Sequence, residues 1–170
     1  MKMSEMPDYK EKLVCEIIRK MDGRYKHQLG KTAVQKMTYL VSRESAGGFN
    51  YSLYHYGPYS GDVSYYLDTC NQNGLIKINW KGDSGYEITP NNSINFARDL
   101  KSEDRETIES IVDKYAQYNA VELSLIATAF YVKDQYADVD SEELVKIVQS
   151  LKPNYKERVR DVLKGAKIIQ

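Results

Sequence analysis

The sequence predicts a mainly α-helical protein with a small antiparallel β-hairpin, a winged helix-turn-helix-like N-terminal part followed by a helical C-terminal part. Three observations predict it. Residues 50–76 read as β-prone stretch, tight turn, amphipathic helix, Gly stop and new strand. Two helical patterns precede that block. After about residue 92 apolar residues recur only at helical spacing.

Taken in order, Asp8 to Met21 is the first helix. Tyr9, Leu13, Ile17 and Met21 recur every four residues, with Val14 and Ile18 alongside, and Asp22-Gly23 stops it. The second runs from about Lys31 to Glu44, with Val34, Met37, Leu40 and Val41 inward and Ala46-Gly47-Gly48 as its end. Tyr51 to Tyr56 is β-prone, with Ser52, Tyr54 and Tyr56 on one face and Tyr51, Leu53 and His55 on the other. Gly57-Pro58 punctuates the chain, since Pro fixes φ and Gly tolerates positive φ. Ser60 is placed to N-cap a helix over 60–73, where Val63, Tyr66, Leu67 and Cys70 form the core face and Asn73-Gly74 the stop. Residues 75–89 read as a β-hairpin, the wing, closed by the turn-rich loop Lys81-Gly82-Asp83-Ser84-Gly85 and ended by Pro90.

In the second half, Asn91-Asn92-Ser93 is a cluster of cap residues before Ile94, Ala97 and Leu100. Ile108, Ile111, Val112 and Tyr115 continue the pattern, so one long connecting helix is expected, with a kink allowed at Ser102. Asn119 with Glu122, and Asp140 with Glu143, match capping boxes. The helices they start carry Leu123, Ile126, Ala127 and Phe130, then Leu144, Ile147, Val148 and Leu151. Pro153 breaks the pattern, and a last helix over about 154–164 turns Val159, Val162 and Leu163 inward. The helix ending Leu67 to Ile76 is weakly echoed by Leu163 to Ile169, each reading as helix stop and strand start. The division expected is 1–92 (winged-helix-like), 93–118 (connecting helix) and 119–170 (helical), or one compact domain overall.

The 24 basic residues balance 24 acidic ones, so there is no whole-chain basic field for nucleic acid. Cys15 and Cys70 each lie on an apolar helical face. They read as buried free thiols in a reducing cytoplasm rather than a disulfide. The N-terminal stretch has no apolar run of the signal-peptide kind, and nothing is apolar long enough to span a membrane, so a cytoplasmic protein is expected.

Several stretches resemble a known group. Lys31-Thr-Ala-Val-Gln-Lys-Met-Thr-Tyr-Leu40, Tyr54-His-Tyr-Gly-Pro-Tyr-Ser60, Gly74-Leu-Ile76 and Tyr86-Glu-Ile-Thr89 are similar to the YwgA-type family of prokaryotic proteins, and more distantly to the Panacea domain of SocA-like antitoxins. Glu122-Leu-Ser-Leu-Ile-Ala-Thr128 and Leu151-Lys-Pro153 resemble the C-terminal part of the YwgA-type proteins. The resemblance implies a mostly helical, winged-helix-like fold. It brings no catalytic residues to carry over. Panacea domains act through protein contacts, as antitoxins or adaptors.

No chemical motif is complete. Gly30-Lys31-Thr32 mimics the end of a phosphate-binding loop, but position 25 is Tyr25 where that motif needs Gly, so a plain helix start is expected. His27 and His55 fall in different elements, and there is no Cys-x-x-Cys or His-x-x-x-His, so no metal is expected. Nothing in the spacing brings Ser60 or Cys70 to His55. No catalytic residue, cofactor or enzyme activity is expected.

Two surfaces remain. Tyr51, Tyr54, Tyr56, Tyr59, Tyr65 and Tyr66 crowd into 16 positions. Six phenols are costly to bury together, because each buried O–H needs a partner. A half-core, half-surface cluster is one reading. The other is a protein-recognition surface, with Tyr54, Tyr56 and Tyr59 as its contacts. The basic residues offer an alternative, a DNA-binding regulator. The helix before the wing, which usually enters the groove, carries Asp62 and Asp68 but no Lys or Arg. Only the wing lysines Lys77 and Lys81 and a C-terminal stripe, Lys156, Arg160, Lys164 and Lys167, would serve phosphate. That stripe reads equally as a solvated face suited to a helix C-terminus. The function expected is therefore a non-enzymatic regulatory module acting on an unidentified protein partner.

Overall fold

A computed structural model describes residues 6–45 and 48–170. The chain forms seven α-helices and two separate two-stranded antiparallel hairpins among these residues. The N-terminal elements are α1 (Tyr9–Arg24), α2 (Lys31–Ser42), β1 (Ser52–Tyr54), β2 (Gly57–Tyr59), α3 (Gly61–Gln72), β3 (Ile76–Trp80) and β4 (Tyr86–Pro90). The rest is helical: α4 (Ser102–Tyr115), α5 (Ala120–Gln135), α6 (Ser141–Leu151) and α7 (Lys156–Gly165). No described helix is long and apolar enough to cross a membrane.

Local chemistry starts most of these helices where expected. Asp8 caps α1 through Glu11 N, and Ser60 caps α3 through Val63 N. Asn119 with Glu122 and Asp140 with Glu143 close both reciprocal capping boxes. Gly30 precedes α2 without any side-chain cap, so the first N–H groups of that helix have no such partner. The stop expected for α2 at Ala46-Gly47-Gly48 lies in part outside the described residues, as do residues 1–5.

The core is built around two helices that are buried almost all round. In α2 every residue from Ala33 to Val41 is buried, and in α5 every residue from Leu123 to Ala129. They pack on each other. The helix α1 lies against α3 and α4, and α5 forms a three-helix unit with α6 and α7. Cys15 of α1 and Cys70 of α3 are free and buried, with Sγ atoms 3.4 Å apart.

The β3–β4 hairpin has the expected register, Ile76 opposite Pro90 and Trp80 opposite Tyr86. Ile88 is buried, and its N–H donates to Leu29 O, which ties the hairpin to the α1–α2 connection.

Three expectations are corrected. Tyr51–Tyr56 is not one strand followed by a turn: Ser52–Tyr54 pairs with Gly57–Tyr59, and His55-Tyr56 is the turn. The expected turn residues Gly57 and Pro58 are thus strand residues. The long connecting helix is absent before Ser102, where only a single 3₁₀ turn, Ala97–Asp99, forms. Asn91 bonds its own loop instead, accepting from Ser93 N and donating to Gly74 O, so it satisfies a turn rather than a helix start. Finally, no strand follows α7. The chain turns at Lys167, φ 58°, and Ile169 returns to the core.

Candidate functional site

The tyrosines cluster on the first hairpin. Its strands are three residues each, too short to hold themselves in water. Tyr54 and Tyr59 lie diagonally across the pair on one face, with ring centroids 5.2 Å apart in an edge-to-face arrangement. Tyr56 and His55 occupy the exposed turn. Tyr54 is 61% exposed and Tyr56 66%, while Tyr59 is half-buried. Tyr51 is turned inward: its ring meets Tyr39 at 5.0 Å, and its hydroxyl lies 3.3 Å from that of Ser42.

The far side of the same hairpin is gripped by polar side chains from three helices. Lys36 of α2 donates to Pro58 O at 2.8 Å. Lys152, at the end of α6, donates to His55 O at 2.6 Å and to Ser124 Oγ at 3.0 Å. Ser124 of α5 in turn donates to Tyr56 O. Gln35 exchanges two bonds with the Ser60 backbone, donating to O and accepting from N. Gly57 sits at φ +95°, and a Cβ there would lie 2.6 Å from Thr128 Oγ1. Only glycine lets the hairpin come this close to α5.

Both lysines are buried, Lys36 2% exposed and Lys152 5%. Neither has a carboxylate partner among the described residues. Burial, and then the charge of Lys152, push the Lys36 amine down from 10.5 to about 7. Burial alone pushes Lys152 down to about 8. A cavity of about 280 Å³ lies between α2, the hairpin and α3, with Lys31, Thr32, Lys36, Tyr54, Tyr56 and Tyr59 among its lining residues. None of the lining residues is acidic.

Lys36 escaped the sequence reading, although a signal was there. It stands three residues after Ala33 and four before Leu40, on the buried arc of α2. Lys152 gave no signal, because its burial depends on where the end of α6 meets the hairpin. A second aromatic pair was also missed. Trp80, 65% exposed, and Tyr86 face each other across β3–β4 with centroids 5.0 Å apart, and the Lys31 ammonium lies 4.1 Å from the Tyr86 ring.

The basic residues are dispersed. Lys156 and Lys164 are exposed on α7, but Arg160 is held bidentate by Glu142 at 2.7 and 3.0 Å, and Lys167 lies beyond the helix. In the β3–β4 hairpin Lys81 reaches Glu87 at 3.5 Å, and Lys77 is exposed. Ser60 is buried with its hydroxyl engaged as the α3 cap, while His55 is exposed in the hairpin turn and no hydrogen bond joins them. His27 pairs with Gln117 O at 3.1 Å. The Gly30-Lys31-Thr32 stretch starts α2.

No protein-family model matches the chain, and a search of the curated proteins found no match either.

Proposed function

We propose that the chain is a non-enzymatic regulatory module that acts through protein–protein contacts, with the tip of the β1–β2 hairpin as its contact surface. The observation that carries this reading is the pairing of two exposed tyrosines, Tyr54 and Tyr56, with a backbone gripped from behind by Lys36, Ser124 and Lys152. Large, rigid aromatic groups on an already ordered loop lose little entropy on binding, which suits them as interface anchors. Tyr59, half-buried beside Tyr54, braces the first anchor.

The same reading takes the N-terminal part as winged-helix-like, since β3–β4 follows α3 as a wing follows its third helix. The similarity to YwgA-type proteins and Panacea domains supports an adaptor- or antitoxin-like role. Two unbonded thiols in the core favour a reducing, cytoplasmic setting.

The DNA-binding alternative has less behind it. Its stripe loses Arg160 to Glu142 and has Lys167 off the helix axis. If it held, a salt titration would show a log K slope of about −0.9 per phosphate contacted, and Lys156→Gln would cut it by about one such step.

The test is affinity capture from the native cell extract, followed by titration of one purified captured protein. Tyr54→Ala with Tyr56→Ala should weaken that complex by about thirtyfold or more, the loss of one anchor worth roughly 2 kcal/mol. A folded double variant that binds its partner unchanged would remove the hairpin from the interface.

A further inference from the structure

We propose that the cavity behind Tyr54 and Tyr56 is a binding site for a carboxylate carried on an apolar or aromatic group, with the Lys36 ammonium as its counter-ion. The inference goes beyond the protein-contact reading and stands without it.

The argument begins with an imbalance of charge. A buried ammonium is normally paired, because removing it from water unpaired is costly. Among the described residues the Lys36 ammonium has one hydrogen bond, to Pro58 O, which leaves two of its three N–H donors without a protein acceptor there. The charged group among them that acts on it is another cation, Lys152. Lys152 has its own acceptors in His55 O and Ser124 Oγ, so Lys36 is the less satisfied of the two.

The cavity that Lys36 lines is suited to supply what is missing. It has no acidic wall, and Thr32 adds a hydroxyl, while Lys31 at its edge turns its ammonium to the Tyr86 ring. The remaining walls are Tyr54, Tyr56, Tyr59 and Leu67 with Gln35, Gly57 and Ser64, and the three rings favour an apolar or aromatic body over a bare inorganic ion. At about 280 Å³ the space matches a body the size of one amino-acid residue. A single buried cation matches a monoanion better than a phosphate dianion. The depressed amine belongs to the same account: with no anion present the site relieves its charge by giving up a proton, and an arriving carboxylate would hold the proton on.

Two sources present this chemistry, a free organic acid and the C-terminal residue of a peptide. The experiment separates them. The full chain, labelled with ¹⁵N, is titrated with 3-phenylpropionate and with N-acetyl-phenylalanine, each against its neutral amide, up to about 10 mM. Saturable shifts at Lys31, Thr32, Lys36 and Gly57 with an acid and not with its amide are expected. Binding of 3-phenylpropionate alone assigns the site to free acids. Binding of N-acetyl-phenylalanine alone assigns it to chain ends. Lys36→Met should weaken binding by about tenfold or more, the worth of one charge-assisted contact. Should that variant not fold, Tyr56→Ala, at an exposed position, should weaken it severalfold by removing one wall. No saturable shifts, equal binding of acids and amides, shifts centred elsewhere, or inorganic phosphate outcompeting both acids would each overturn the proposal.

Discussion

The two hairpins of this protein are stabilised in opposite ways. The β3–β4 hairpin has five-residue strands, a register fixed by its own ladder, and two apolar side chains, Ile76 and Ile88, sunk into the core. The β1–β2 hairpin has three-residue strands and relies on side chains that come from α2, α5 and the end of α6. The first is a local structure that docks. The second is a conformation imposed on the chain from outside, and it is the one that carries the exposed Tyr54 and Tyr56. A loop fixed by distant polar groups can present a binding surface rigidly, but it transfers the cost of those buried groups to the whole fold.

The contrast is most easily broken at glycine. Gly57→Ala forces both a positive φ and a collision with Thr128 Oγ1, and should cost roughly 3 kcal/mol or more. Gly82→Ala, at φ +65° with open space around it, should cost only about 1–2 kcal/mol of backbone strain. Urea denaturation of the two variants measures the gap. Equal losses would mean that β1–β2 is no more constrained than β3–β4.

The pH dependence of stability sharpens the comparison next. An amine with a pKa of about 7 when folded and 10.5 when unfolded binds fewer protons in the native state across that interval. Unfolding there takes up protons, so Lys36 should make stability rise with pH from about 7, by at most about 1.4 kcal/mol per pH unit, and Lys152 should add to it from about 8. Above about pH 10 the trend should reverse, because burial pushes the Tyr25 and Tyr115 phenols up to about 12 and unfolding then releases protons. Thermal melts from pH 6 to 11 should show this maximum. Lys36→Met should flatten the rising limb, while Lys77→Gln, at an exposed position of β3, should leave it intact.

Smaller effects are expected from single polar contacts. Ser124→Ala leaves the Tyr56 carbonyl and one Lys152 donor unpaired, and should cost about 1–3 kcal/mol by chemical denaturation. At the low end, Trp80→Ala removes an exposed ring whose aromatic contact is Tyr86. It should change stability by about 1 kcal/mol or less. A larger loss at Trp80 than at Ser124 would reverse the ranking of the two hairpins.

The same distinction explains what the sequence made legible. Features decided within a few residues were readable: the caps at Ser60, Asn119 and Asp140, and the turn-rich loop of β3–β4. Features decided by distant contacts were not. Gly57-Pro58 has the composition of a turn, and only the approach to α5 makes it a strand. Asn91-Asn92-Ser93 has the composition of a helix start, and the bond from Asn91 to Gly74 O makes it a loop. The tyrosines were visible by their density, and their exposure at Tyr54 and Tyr56 follows from the alternation of a short strand and its turn. Of the buried amines behind them, Lys36 stood on the core arc of α2, whereas the burial of Lys152 depends on where the end of α6 comes to rest, and no local pattern encodes that.

The complete burial of α2 from Ala33 to Val41 bears on how the molecule opens. That helix touches α1, α3, α4, α5 and both hairpins. Detaching any of these elements strips one of its sides, so its amide hydrogens should be among the last to exchange, through global unfolding. The hairpin tip can loosen by releasing a few side-chain bonds, while the helix directly beneath it exchanges last. Fast and slow exchange should therefore meet across the Lys36–Pro58 contact, between the amide of Lys36 and those of Gly57 and Tyr59, which flank the proline.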